Sequence, residues 1–194
     1  MPGVTRFGYN LYENVVKSDK DLYKALMVFL EGEEGFAEGY MTILESGKKL
    51  IGDVFRYMIK ELSIEQRSAM VIHCTAGKDR TGVFVMTLLG LCGVDDEIIA
   101  KEYELTNLGY FDFEKHLENR ARQVGVTIDV MRAALSASIG GMRLTITQVK
   151  QKYGSFEGYV RDGCGLSSTE IQAIRNLMIV PIRFEERQLY RPKI

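Results

Sequence analysis

The chain is short of the residues from which most metal and redox sites are built. Its 194 residues include only two histidines, His73 and His116, and three cysteines, Cys74, Cys92 and Cys164. No Cys/His spacing among them matches a zinc site, which argues against metal-dependent hydrolysis; neither a metal nor a cofactor is expected. Three cysteines are an odd number with no pairing pattern, and no Cys-x-x-Cys pair offers a redox centre. The sequence shows no signal peptide and no apolar run of transmembrane length. Charge of neither sign is in excess. With 25 basic against 26 acidic residues the net charge is -1, which excludes a general nucleic-acid or membrane binder. Any attraction for phosphate must therefore be local. A reduced, cytoplasmic setting fits these absences.

What is present reads as one domain. Hydrophobic residues make up 46% and charged residues 26%, a globular balance, and the length suffices for a real core. The domain is expected over 1–180, with a mixed tail over 181–194 whose Arg183, Arg187 and Arg191 read as a solvated face diluted by Glu185 and Glu186. Helices are predicted over 19–30 after Ser18, over 36–44, and over 50–62, where Leu50, Ile51, Val54, Phe55, Met58, Ile59 and Leu62 repeat at helical spacing. Further helices are expected over 96–106, 111–123 and 128–138. The acidic run Asp95-Asp96-Glu97 reads as a helix cap, not a metal site. Gly140-Gly141 predicts a break, followed by short helices over 145–153 and 156–161. Ser167 and Glu170 form a capping-box pattern before Ile171, Ile174, Leu177 and Met178. Only one strand is expected firmly, at 69–74, with a second candidate at 4–9.

Ten residues concentrate the chemistry: His73-Cys74-Thr75-Ala76-Gly77-Lys78-Asp79-Arg80-Thr81-Gly82. An apolar run precedes them and an apolar helix follows. Backbone N–H groups of Thr75, Ala76, Gly77 and the residues up to Arg80 can turn inward as an anion-binding nest, to which the helix adds its positive end. Gly77 allows a positive φ. Arg80 can grip two phosphate oxygens with its planar fork. The same donors favour the thiolate of Cys74, placing a nucleophile where it can attack phosphorus. Thr81 can hydrogen-bond the sulfur and stabilise it as a leaving group. Asp79 is the first candidate for the acid that protonates the leaving oxygen, against a loop-bracing role; Glu31, Glu33, Glu34 and Asp53 are weaker candidates. Lys78 places a positive charge at the rim, and His73 orients the loop. Cys92 is expected in the core, Cys164 in an exposed turn. A nucleotide P-loop is excluded, because Gly77-Lys78 is followed by Asp79 and no glycine stands five residues ahead of Gly77.

This segment resembles the signature of the cysteine-dependent protein tyrosine phosphatase superfamily, and in its Ala76-Gly77-Lys78-Asp79-Arg80-Thr81 version the atypical tyrosine/serine phosphatases of microbes. Glu34-Gly35-Phe36 through Tyr40, Gly93-Val94-Asp95, Glu102-Tyr103 to Thr106, and Tyr153-Gly154-Ser155 through Leu166 look like the same group. The resemblance implies a dual-specificity phosphatase working through a phosphocysteine intermediate. Cys74 would be the nucleophile, Arg80 and the loop from Thr75 to Thr81 the phosphate binders, Asp79 the assisting carboxylate and Lys78 the determinant of broader substrate choice. It implies an α/β fold, a parallel sheet flanked by helices. The family's Asn-Phe-Arg-Asp-Leu-Gly-Gly-like opening has no counterpart here, so the domain is expected to be mostly helical, lacking its N-terminal strands. Substrates would be phosphoproteins, phosphotyrosine first, or phosphoinositides. A catalytically impaired phosphate-binding module is the other reading.

Overall fold

The computed structural model describes Leu30 and residues 32–62, 69–74, 76–110 and 114–180. The expected strand at 4–9, most of the helix over 19–30, Thr75, Glu31 and the tail over 181–194 lie outside the described residues.

Helix α1 (Glu33–Leu62) is the spine. Its buried residues Phe36, Tyr40, Leu44, Ile51, Phe55 and Met58 recur at helical spacing and form one apolar stripe. The two helices expected over 36–44 and 50–62 are thus a single element. Ser46 does not interrupt it, because its hydroxyl donates back to the Thr42 carbonyl at 2.7 Å and stays within the helix.

Helix α2 (Asp79–Leu91) is buried on most sides through Val83, Phe84, Met86, Thr87, Leu88 and Leu91. It lies against α1, with the Phe55 and Phe84 rings 5.0 Å apart. Helix α3 (Asp96–Glu104) starts at Asp95, whose carboxylate accepts from the Glu97 and Ile98 N–H groups, as the acidic run implied. It tightens into a 3-10 turn, Leu105–Tyr110. Helices α4 (Glu114–Val124) and α5 (Ile128–Leu135) pack on each other around their own small core of Leu117, Ala121, Val124, Met131 and Ala134.

Helix α6 (Ile139–Tyr153) overturns the break expected at Gly140-Gly141. The Ser138 hydroxyl caps the helix by accepting from the Gly141 N–H at 3.0 Å. The small residue serves packing, since a Cβ at Gly141 would stand 2.5 Å from Cβ of Phe36 on α1. One turn of helix, α7 (Phe156–Gly158), runs into a π-helical turn, Tyr159–Gly163. Tyr159 is fully buried there, and its hydroxyl donates to the Leu44 carbonyl of α1 at 2.8 Å. The capping box at Ser167 and Glu170 opens α8 (Ser168–Met178) as the pattern predicts. Arg175 of α8 ties the bundle to α2, donating to the Leu91 carbonyl at 2.9 Å and to Glu157 at 2.7 Å.

No strand occurs among the described residues. Residues 69–74 have no ladder partner among the described residues, so the strand expected there stands without a sheet in what those residues show. The alternation of a strand is nevertheless present. Met70, Ile72 and Cys74 are partly covered, while Ala69, Val71 and His73 face out, Val71 with 83% of its surface exposed. The setting expected of Cys164 is corrected, while Cys92 packs against the core as expected. Cys164 is buried, packed into the core beside Tyr159, and Cys92 is only half-buried.

Truncating the Ser167 hydroxyl (Ser167→Ala) removes the acceptor of the Glu170 N–H. We expect a loss of about 1 kcal/mol in folding free energy, measured by urea denaturation.

Candidate active site

The N-terminal end of α2 is where the sequence concentrates its polar chemistry, and the local backbone explains why. The position before the helix is Lys78, whose side chain offers no acceptor, so no side-chain cap bonds the first-turn N–H groups. The chain reaches α2 through Gly77 at φ +70°, a left-handed conformation that costs glycine nothing. The turn folds the loop back over Cys74. The Thr81 hydroxyl and the amides of Thr81, Ala76 and Gly77 lie around the Cys74 sulfur and favour its thiolate.

The electrostatic outcome follows from two opposed effects. Partial burial of Cys74 pushes its thiol pKa up; the donors around it, the Thr81 hydroxyl and the Thr81, Ala76 and Gly77 amides, outweigh it, and the net shift is downward. The Thr81 hydroxyl is buried and makes no hydrogen bond within ordinary distance among the described residues, the Cys74 sulfur included, so its effect on the thiol is that of a nearby dipole. Cys92 and Cys164 go the other way, both raised chiefly by burial. His73 is exposed, with Nδ1 3.1 Å from the Cys74 carbonyl oxygen, which fastens the ring to the loop backbone. Arg80, the second residue of α2, is exposed at the same end.

Lys78 departs from the rim position expected of it. It is 4% exposed and points into the protein. Its ammonium donates to the Ser136 carbonyl at 2.9 Å, pairs with Asp79 Oδ1 at 2.9 Å and lies 5.2 Å from the centre of the Phe36 ring. A lysine drawn inward by a carboxylate, a carbonyl and an aromatic face cannot also stand at the edge of a cleft. Asp79 accepts a second bond on the same oxygen from the Tyr40 hydroxyl, at 3.1 Å. Of the weaker acid candidates, Asp53 is engaged with Lys49 at 2.7 Å on the exposed side of α1, and Glu33 lies against Gly140 of α6.

The model of the tyrosine phosphatase family matches residues 3–180. The chain belongs to the tyrosine phosphatase family. A tyrosine-protein phosphatase of Nostoc commune is 26% identical over 175 residues, covering 88% of this chain and 57% of that protein. A triple specificity protein phosphatase, PtpB, of Mycobacterium tuberculosis is 27% identical over 121 residues, covering 57% of this chain and 44% of its own length. The chain thus spans about half the length of these relatives.

Sequence reasoning overlooked Tyr40 and Tyr103 as site residues. Both sit at core positions of amphipathic helices and are 3% exposed. The available signal was chemical: a tyrosine on a buried stripe needs a partner for its hydroxyl, and a nearby carboxylate is a natural one. Among the described residues no group of three or more His, Cys, Asp or Glu side chains could hold a metal ion. No described helix is long and apolar enough to cross a membrane.

Because the shifts have opposite signs, the three thiols should separate in an alkylation assay. At about pH 6.5, iodoacetamide should label Cys74 well before Cys92 or Cys164, as read by peptide mass spectrometry. Thr81→Val removes one of the donors that lower the Cys74 pKa. It should move the midpoint of Cys74 alkylation to higher pH; an unmoved midpoint would show that the hydroxyl does not act on the sulfur.

Proposed function

We propose that this chain hydrolyses phosphomonoesters, protein phosphotyrosine above all, through a phosphocysteine intermediate. The observation that carries this reading is the Cys74 sulfur set at the N-terminal end of α2, ringed by amides and a hydroxyl that lower its pKa. The same donors suit a tetrahedral dianion.

In the first step the Cys74 thiolate attacks phosphorus. An S–P bond forms as the P–O ester bond breaks, and the leaving oxygen departs with the bonding pair. The amides of Ala76, Gly77 and Thr81, that of Thr75 and the fork of Arg80 hold the non-bridging oxygens throughout. In the second step water attacks phosphorus, the S–P bond breaks, and inorganic phosphate leaves. The sulfur returns as a thiolate, stabilised by the Thr81 hydroxyl.

The surroundings of Asp79 bear on the leaving group. Asp79 Oδ1 accepts from both Lys78 and Tyr40. With Oδ1 occupied by the Lys78 ammonium and the Tyr40 hydroxyl, we assign Asp79 to holding the loop ahead of general acid catalysis. Chemistry without a strong acid favours a leaving group that is stable as an anion. The phenolate of tyrosine, whose parent phenol has a pKa of about 10, meets that requirement far better than a serine or threonine alkoxide. The inward turn of Lys78 also removes the loop cation that a second phosphate of a phosphoinositide would meet. We therefore place phosphotyrosine ahead of phosphoserine, phosphothreonine and inositol lipids. The extended 69–74 segment is proposed as one strand of a parallel sheet, with the loop at its C-terminal end. A thiolate nucleophile requires a reducing compartment such as the cytoplasm.

Turnover of a small aryl phosphate, with vanadate as inhibitor, tests the reading. Cys74→Ser should abolish turnover while vanadate still binds. Arg80→Lys keeps the charge but loses the two-pronged grip and should lower kcat on the order of 10²–10³-fold. No turnover at any pH by a wild-type chain that still binds vanadate would leave a phosphate-binding module and refute the enzyme.

A further inference from the structure

A chain of hydroxyls runs from the helical core to the loop. Tyr40 of α1 has one hydroxyl proton, and it is given to Asp79 Oδ1. The Tyr103 hydroxyl of α3 lies 2.5 Å from the Tyr40 oxygen. With the Tyr40 proton already committed, Tyr103 is the donor of that pair. The order is therefore Tyr103 to Tyr40 to Asp79, each donating onward. Burial pushes the Tyr40 hydroxyl pKa far upward, with Tyr103 and Asp79 adding to it, so its proton is retained.

Both rings are fixed. The Tyr40 and Tyr103 rings meet edge to face at 6.0 Å, and Phe36 flanks Tyr40 at 5.8 Å. Gly82, in the first turn of α2, admits the Tyr103 ring at a distance where a Cβ would stand 2.5 Å from its edge. Asp79 is the first residue of α2, two positions before Thr81, whose amide and hydroxyl lie beside the Cys74 sulfur and lower its pKa. The tyrosine pair thus grips the loop at the joint between its amides and its helix.

We propose that Tyr40 is a positioning residue for the phosphate loop: through Asp79 it holds the loop and the first turn of α2 so that their donors face the Cys74 sulfur. Tyr103 supports it by donating to its oxygen. The assignment rests on the phosphate-loop reading of the site but not on turnover. Its effect is on the sulfur and on oxyanion affinity, both measurable without a substrate.

The test is a double-mutant cycle of Tyr40→Phe and Asp79→Ala in the full chain. Two readouts are taken: the pH midpoint of Cys74 alkylation, and vanadate affinity by calorimetry. Tyr40→Phe keeps the ring and removes only the donor. It should raise the alkylation midpoint and weaken vanadate binding about tenfold. In the Asp79→Ala background the same change should alter neither readout. Thermal unfolding of each variant establishes that it is folded. Should Tyr40→Phe fail to fold, Tyr103→Phe removes the outer donor and should shift both readouts the same way by less. If Tyr40→Phe lowers the melting temperature but leaves midpoint and affinity unchanged, Tyr40 is only packing and the proposal is overturned. Effects that add across the cycle would likewise show that Tyr40 does not act through Asp79. A wild-type chain whose Cys74 titrates as an ordinary thiol and which binds no vanadate would refute the phosphate-loop reading itself, and this assignment with it.

Discussion

The first turn of α2 has N–H groups that no side-chain cap satisfies, and the site follows from that imbalance. A helix begins with orphan donors. Four of the described helices answer them with a side-chain oxygen: Asp95, Thr127, Ser138 and Ser167 each accept from the first turn of their helix. At α2 the capping position is Lys78, a cation, and the Thr81 amide lies beside the Cys74 sulfur instead. The arrangement works only if the helix axis is fixed, because a dipole aimed a few ångströms aside loses its effect. The fixing is done by burial. Val83, Phe84, Met86, Leu88 and Leu91 lock α2 among its neighbours, and Arg175 clasps the Leu91 carbonyl at the far end.

Fixing the loop ahead of the helix demands a different kind of contact, because its backbone donors must stay open to an anion. Its side chains are tied down instead. Burying an ammonium costs several kcal/mol unless it is paired and hydrogen-bonded. Lys78 meets that requirement with Asp79, the Ser136 carbonyl and the Phe36 face. These partners come from different elements, so loosening the loop would strand a charge in the core. The carboxylate in turn takes the Tyr40 hydroxyl. Both charged loop residues that precede Arg80 thus face the scaffold, and Arg80 is left at the exposed end.

The local rules carried the sequence reading a long way. The loop, the capping positions at Asp95 and Ser167 and the apolar stripe of α1 are all encoded within a few residues, where spacing and side-chain chemistry suffice. What was not legible depends on residues far apart. Gly140-Gly141 reads as a break until Phe36 is seen packed against it. Cys164, flanked by glycines, reads as exposed until Tyr159 and the α1 face are folded over it. Lys78 reads as a rim charge because nothing nearby in sequence foretells Ser136, 58 positions later, as its acceptor. Tyr40 and Asp79 are 39 positions apart, and no periodicity links them.

The direction of the Cys74 sulfur is also decided by packing, through the extended segment before it. In such a segment successive side chains point to opposite sides. Ala69, Met70 and Ile72 line a groove of about 430 Å³ with Met58 and Leu62 of α1, Leu88 of α2, and Leu177 and Met178 of α8. Cys74 is next on that same side, while Val71 and His73 take the other. A slip of one residue would put Val71 in the groove and turn the sulfur away from the amides. The long, flexible side chain of Met70 and the β-branched side chain of Ile72 oppose that slip by forming one apolar wall of the groove. Apolar residues with no chemistry of their own therefore set the side on which the Cys74 sulfur lies, and the donors at the end of α2 then lower its pKa.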